Sequence, residues 1–310
     1  MTGEAHFDTI VLGGGPAGLT AAIYLARAKL KTLVINEGTV GGQMILTHEI
    51  ANYPGVEKTS GYALSMTMKK QAESFGAEVL ANKTVLSVDI EGDVKKVILE
   101  GDVTYTAKSI IVAPGGRSRT LGVPGEDALK GKGISYCATC DGDFFTDKEI
   151  IVVGGGNSAL EEAVSLTKYA KRVTVVHKLD HFEAHKHAVE EAKGHPRVDF
   201  MMESVITEFH GNDRLESVDI KDLHTGNTLN RKIDGVFVFI GYVPNTESFK
   251  GMLDLNQAGE IMVTEGMATN IPGVFAAGDS TAKRFRQITT AVADGTIAAL
   301  SAAEYVERSH

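Results

Sequence analysis

Cysteine is nearly absent from this chain: two among 310 residues, Cys137 and Cys140, three positions apart. A structural disulfide framework needs more cysteines and an oxidising compartment, so that class falls away. A zinc ribbon falls with it, because four ligands are required and no second Cys-x-x-Cys exists. By elimination the pair reads as redox-active. Proline is scarce too, 7 residues against 34 glycines, the balance of a globular α/β chain with many strand-to-helix turns. Positive charge is in deficit: 31 Lys and Arg face 40 Asp and Glu, for a formal net charge of −9. Nucleic acids and anionic membranes select basic surfaces, so neither is an expected partner. No apolar run reaches the roughly 18 residues that span a bilayer. The start carries no secretory pattern, since Met1 to His6 lead straight into a strand-like run at Thr9–Leu12. The expectation is a soluble, cytoplasmic protein.

At 310 residues the chain has room for two domains, and two segments share one pattern. Asp8–Leu12 is a β-branched run that meets Gly13-Gly14-Gly15-Pro16-Ala17-Gly18. Helical spacing follows over Leu19–Ala28, with Ala22, Leu25 and Ala26 on one face. Glu149–Val153 likewise meets Gly154-Gly155-Gly156-Asn157-Ser158-Ala159, then Leu160–Tyr169 with Leu160, Ala163, Val164 and Leu166 in register. Each helix leads to a further strand, Lys31–Ile35 and Arg172–Val176. A βαβ unit occurring twice predicts an α/β protein with two Rossmann-like dinucleotide-binding folds, each a sheet between helical layers. In both copies the first glycine permits the tight turn and the second lets the backbone approach a pyrophosphate. The third position must be small so that the helix can close on the strand. The pyrophosphate then rests on amides at the helix start.

The copies differ at the end of the second strand, where such folds choose their nucleotide. In the first, Asn36-Glu37 puts a carboxylate about 20 residues beyond the glycines, placed for a ribose hydroxyl. In the second, His177-Lys178 follows the strand and no carboxylate appears before Asp180. A basic residue there suits a 2′-phosphate, which makes NADPH plausible. Near the C-terminus, Ala276-Ala277-Gly278-Asp279 ends a strand-like run. Alone it is a turn; beside the first βαβ unit it suggests that both chain ends build one FAD domain.

These segments, with Gly-Gly-Gln at 41–43 and Cys137-Ala138-Thr139-Cys140-Asp141, resemble low-molecular-weight thioredoxin reductase in order, spacing and length over essentially the whole chain. Cys-Ala-Thr-Cys-Asp separates that family from other two-Rossmann flavoproteins. The resemblance implies a discontinuous FAD-binding domain, residues 1–116 and 247–310, with a pyridine-nucleotide domain over 117–246 inserted into it. The crossings fall near Gly115–Ser118 and Gly241–Asn245, where glycine and proline suit a hinge. For FAD it implies Gly13, Gly15, Pro16, Ala17, Gly18, Glu37, Gly42, Gln43, Asn52, Gly278, Asp279, Arg286 and Gln287. For the nicotinamide nucleotide it implies Gly154, Gly156, Asn157, Ser158, Ala159, His177 and Lys178. It also implies a homodimer.

The chemistry the resemblance implies runs from NAD(P)H to FAD, to the Cys137–Cys140 disulfide, and on to oxidised thioredoxin through a mixed disulfide. Cys140 is then the sulfur facing the flavin and Cys137 the attacker. Asp141 would be the acid that protonates a departing thiolate, or a helix cap, or both. The pair is expected at a helix start, which favours a thiolate. Because nucleotide and dithiol share the inserted domain, the family's solution is a rotation that brings each to the flavin in turn. Lys130 and Lys132 read as a solvated loop or an aid to docking, and Ala291–Ala299 as a small-residue helix on the sheet.

Two departures stand out. The family's phosphate site reads His-Arg-Arg, three residues, Arg; here it is His177-Lys178-Leu179-Asp180-His181-Phe182-Glu183. A planar clamp becomes one point charge opposed by two carboxylates. NADPH, NADH and a ferredoxin therefore all stand as donors, a nicotinamide first. Ala113-Pro114-Gly115 replaces the usual Ala-Thr-Gly, removing a hydroxyl and an amide donor. His181, His185 and His187 read as surface histidines of a charged helix, and no metal site is expected. The alternatives are another small disulfide protein as acceptor, peroxiredoxin-type or glutaredoxin-like, and a flavin-based redox sensor that is not an enzyme.

Overall fold

The computed structural model describes residues 5–47 and 49–308, so Met1–Glu4 of the run considered above lie outside it. The chain divides into two compact units, Met1–Arg117 with Val243–His310, and Ser118–Tyr242.

The first unit opens with strands β1 (Ala5–Leu12), β2 (Thr32–Ile35), β3 (Glu78–Leu80), β4 (Val85–Asp89), β5 (Lys95–Leu99) and β6 (Val103–Val112), in the sheet order β3-β2-β1-β6-β5-β4. β3, β2, β1 and β6 are parallel, while β5 and β4 add an antiparallel edge. Ile10, Val11 and Leu12 are all buried, the continuous apolar run of a strand covered on both faces. Helix α1 (Pro16–Arg27) begins directly behind the glycine turn, with Pro16 at its first position. That is three residues ahead of the apolar periodicity, because proline's fixed φ suits a helix start and its missing N–H would be unpaired there anyway. Helix α2 (Gly61–Ser74) is capped by Ser60, whose Oγ accepts from Ala63 N–H at 3.1 Å. Strand β7 (Gly116–Ser118) leads out.

The second unit carries α3 (Glu126–Leu129), β8 (Ile134–Ser135), α4 (Ala138–Asp141), β9 (Glu149–Val153), α5 (Asn157–Leu166), β10 (Arg172–Val176), α6 (Lys186–Gly194) and β11 (Val198–Met201). Then come β12 (Ser204–His210), β13 (Ser217–Asp222), β14 (Thr228–Lys232) and β15 (Gly235–Val238). Its main sheet, β11-β10-β9-β15-β8, is parallel, and β12-β13-β14 form an antiparallel sheet.

The chain returns through β16 (Tyr242–Pro244) to β17 (Val274–Ala276), which pairs parallel with the end of β6. Asn245 secures the first unit at this return. It accepts from Arg117 Nη1 (2.9 Å), donates its amide to the Pro114 carbonyl (3.1 Å), and donates its backbone N–H to Gly115 O (3.0 Å). Helix α7 (Ile288–Arg308) buries Ala291, Gly295, Ala298, Ala299, Ala302 and Val306. It packs on α1 as well as on the sheet: a Cβ at Gly295 would lie 2.2 Å from Ala17 O, so glycine permits the helices to touch backbone to backbone. No helix among the described residues is long and apolar enough to cross a membrane.

Candidate active site

Cys137 and Cys140 are joined as a disulfide with 5.3 Å between their Cα atoms. Cys137 is the extended N-cap of α4, and its Sγ accepts the Cys140 N–H at 3.2 Å. The helix is a single turn that passes into a 3-10 turn at Gly142–Phe145, so little macrodipole is available to the thiols. Asp141 closes the turn: its N–H donates to Cys137 O at 3.2 Å and its Oδ2 accepts from Ser135 Oγ at 2.6 Å. Burial pushes the Asp141 carboxyl up, the Ser135 hydrogen bond opposes this, and the nearby Asp143 charge adds to it. A carboxyl whose protonated form is favoured in this way is better suited to donating a proton than an exposed one. Ser135 carried no sequence signal, because its role depends on folding back across the Cys-x-x-Cys turn.

Beside this turn, buried Glu126 accepts from Leu121 N (3.0 Å), Gly122 N (2.7 Å) and Tyr136 Oη (2.6 Å). Burial, with the Glu126 contact, pushes the Tyr136 phenol well above its usual range. Lys130 sits over the Tyr136 ring at 4.8 Å, whereas Lys132 is exposed.

In the first unit the glycine turn, the end of β6 and the end of β17 lie at the carboxyl edge of neighbouring parallel strands, where such sheets bind ligands. Gly13 has φ +114°, and a Cβ there would fall 2.1 Å from Ala113 O; at Gly18 it would fall 1.9 Å from Gly13 O. Gly15 differs. A Cβ there would meet nothing nearer than Gly42 Cα at 3.9 Å, so its face stays open between Pro16 and Gly42. Ala17 is buried under Gly278, whose own Cβ would meet it at 2.9 Å. Asp279 has a buried Oδ1 with no hydrogen bond, Lys283 Nζ being 3.6 Å away. Burial pushes its carboxyl up against the pull of Lys283 and Arg286. An open glycine face and an orphaned carboxylate oxygen fit a dinucleotide carrying a sugar-alcohol chain.

Around them, Arg286 pairs with Glu260, and Lys283 bonds Asp294 Oδ2 at 2.5 Å. Asp294 Oδ2 also accepts from Gly278 N–H at 3.1 Å. Gln287 precedes α7, donating its N–H to Thr290 Oγ1 at 3.1 Å. Glu37 is exposed, with Oε1 accepting from Val85 N–H at 3.3 Å. Its neighbour Asn36 reaches the glycine turn instead, accepting from Gly14 N–H at 2.8 Å. Gly42 and Gln43 start a 3-10 turn facing Gly15, and Asn52 lies on an exposed loop at 51–57.

The second glycine turn repeats the logic. Gly154 has φ +140°, with a Cβ 2.3 Å from Phe239 O, while a Cβ at Gly156 would meet nothing within 4 Å. Ala159 is buried, and Ser158 is exposed at the start of α5. Asn157 Oδ1 accepts from the N–H of His185, the residue preceding α6, at 2.7 Å. His177 lies buried flat against Gly155, where a Cβ would fall 2.3 Å from the ring, and stacks on Phe182 at 5.8 Å. Burial lowers its basicity, so it adds no positive charge, although its buried Nε2 lacks a partner. Lys178 is exposed, Asp180 holds His181 Nδ1 at 2.6 Å, and Glu183 folds back to donate its N–H to Gly155 O at 2.9 Å. Three potential metal ligands do converge elsewhere, Glu208, His210 and Asp219 on the small antiparallel sheet, apart from His181, His185 and His187.

The sequence pattern of the pyridine nucleotide-disulphide oxidoreductase family matches residues 7–295. The thioredoxin reductase of Peptoclostridium acidaminophilum is 48% identical over 312 aligned positions, covering 98% of each chain. That of Bacillus subtilis (strain 168) is 44% identical, covering 99% of this chain and 97% of its own. The crystal structure of thioredoxin reductase from Streptococcus pyogenes MGAS5005 matches with a TM-score of 0.94 at 44% identity, covering 99% of this chain and 100% of that one. Identity at this level along nearly the whole of each chain exceeds what a shared fold alone produces. The chain belongs to the pyridine nucleotide-disulphide oxidoreductase family, among its low-molecular-weight thioredoxin reductases.

Proposed function

We propose that this thioredoxin reductase draws electrons from a nicotinamide nucleotide, NADH ahead of NADPH, and delivers them through FAD and Cys137–Cys140 to thioredoxin. The observation that carries the reductase chemistry is the Cys137–Cys140 disulfide, capped on its own turn and followed by a half-buried carboxyl at Asp141. The open face of Gly15 and the Asp279 carboxylate would hold FAD, which would supply the two-electron link between a hydride donor and a disulfide. Reduced Cys137 attacks one sulfur of the thioredoxin disulfide as a thiolate, forming a mixed disulfide and releasing one thioredoxin thiolate. Cys140 then attacks the Cys137 sulfur, restoring the pair and releasing the second thiolate. Two electrons pass to thioredoxin, two protons go to its thiols, and Asp141 protonates a departing thiolate.

The preference for NADH rests on the 177–183 stretch. His177 is neutral and packed away, Lys178 is a single exposed charge, and Glu183 lies against the glycine turn where the family carries arginine. A carboxylate there accepts from ribose hydroxyls and repels a 2′-phosphate. We further infer a homodimer working in the cytoplasm, on the family resemblance. The test is an anaerobic titration of the FAD-loaded protein with NADH, NADPH and a reduced ferredoxin, following the visible flavin band. Bleaching by NADH before NADPH, reversed by oxidised thioredoxin, is the expected result. Bleaching by ferredoxin alone would overturn the donor and leave the dithiol chemistry standing.

A further inference from the structure

We infer that Ser135 is the positioning residue that holds the Asp141 acid in place against the redox turn, an inference that rests on the thioredoxin-reductase reading above. Ser135 ends β8, which is locked parallel to β15 through the Ser135–Phe237 register, and it is only 4% exposed. Its hydroxyl spans the turn. Oγ accepts the Cys137 N–H at 3.1 Å and donates to Asp141 Oδ2 at 2.6 Å, with a longer contact to Cys137 O at 3.3 Å. A hydroxyl has one proton and an ionised carboxylate can only accept, so the short contact takes that proton. Among the described residues this is the one hydrogen bond to the Asp141 carboxylate, and Asp141 forms no ion pair.

The surroundings of Asp141 leave little else to hold it. Among the described residues Asp143, on the following turn, is the one charged group acting on it, and it repels. Cys137 and Cys140, joined as an uncharged disulfide, form the same turn. Helix α5, packed on α4, presents Leu166 to Gly142, and Tyr169 follows just beyond its end. Ser135 therefore does two things for a group that must both give and regain a proton. It fixes the carboxyl relative to Cys137, and it stabilises the ionised form that burial disfavours. A serine that merely closes the turn would need only the Cys137 N–H contact.

The experiment compares wild type, Ser135→Ala, Ser135→Thr, Asp141→Asn and the Ala/Asn double variant, all FAD-loaded. Thioredoxin reduction is followed across pH, together with an infrared titration of the Asp141 carboxyl, identified by its loss in Asp141→Asn. Activity that depends on a protonated Asp141 falls on the alkaline side as the carboxyl ionises. Removing the Ser135 donor moves that limb and the infrared titration upward by roughly one pH unit. The plateau drops about tenfold, a part of what a general acid contributes. Ser135→Thr keeps the hydroxyl and returns the limb to its place. In the Asp141→Asn background, Ser135→Ala has no further effect on rate. A limb lost in Asp141→Asn but unmoved in Ser135→Ala, or fully additive losses in the double variant, would overturn the Ser135 assignment alone. If Ser135→Ala loads FAD poorly, the Ser135→Thr infrared titration decides, and a Thr variant titrating away from wild type counts against the hydroxyl. Wild type that leaves thioredoxin oxidised, or a limb that survives Asp141→Asn, would bring down the parent reading and this one with it.

Discussion

Gly15→Ala separates binding from folding in a way that its neighbours cannot. Gly15 has φ −78° and ψ −174°, ordinary extended backbone for any residue, and its new methyl would meet only Gly42 Cα at 3.9 Å. The apoprotein should therefore keep its stability, or gain about 0.4–1 kcal/mol because alanine narrows the unfolded ensemble. That methyl occupies the face offered to the pyrophosphate. Overpacking a close contact costs about 1–3 kcal/mol, which corresponds to FAD binding weakened about ten- to a hundredfold. Gly13→Ala is the control. Its φ of +114° alone strains an alanine by about 1–3 kcal/mol, and its Cβ would sit 2.1 Å from the Ala113 carbonyl. Thermal melting of the apoproteins and titration with FAD, read by quenching of flavin fluorescence, measure the two effects separately. Gly15→Ala should melt with wild type and bind FAD poorly, and Gly13→Ala should melt early. A Gly15→Ala protein that binds FAD as wild type does, or melts alongside Gly13→Ala, would refute the placement of FAD on this turn.

Other outcomes follow from the dithiol and from the second unit. Cys140→Ser should accumulate thioredoxin as a stable mixed disulfide on Cys137, resolved by non-reducing electrophoresis, whereas Cys137→Ser should capture none. Asp141→Asn should be more stable than wild type at neutral pH, with the difference vanishing on acidification. The folded carboxyl titrates above its unfolded value, so the stability it lends is complete at low pH and is lost as pH rises through that raised value; melting temperature against pH reads this. Leu179→Arg with Glu183→Arg should raise kcat/KM for NADPH relative to NADH by about 10- to 100-fold, by adding guanidinium contacts to a phosphate and removing a repelling charge. An unchanged ratio in steady-state assays would move the nucleotide away from this stretch.

Much of this protein was legible along the chain because the signals are short-range. A β-branched run, a glycine turn and a helical period lie within a few tens of residues, so both βαβ units emerged with strands β1, β2, β9 and β10 close to their final bounds. The Cys137–Cys140 spacing lies within one turn, and two cysteines leave few other uses. Tertiary structure decided what depends on partners far apart in sequence. The pairing of β17 with β6 and the seating of Gly295 on Ala17 bring Gly278 and Asp279 to the first glycine turn. The Gly278-Asp279 run hinted at that meeting, but no local period encodes it; the pairing of Val274–Ala276 along residues 110–112 sets it. The packing of His177 against Gly155 and the hydrogen bond from His185 N–H to Asn157 Oδ1 likewise have no local sequence signal. Ser135 had no signature at all. Its hydroxyl acquires a role only when the Cys-x-x-Cys turn folds back over the end of β8, because a hydrogen bond is set by distance in space rather than by position in the chain.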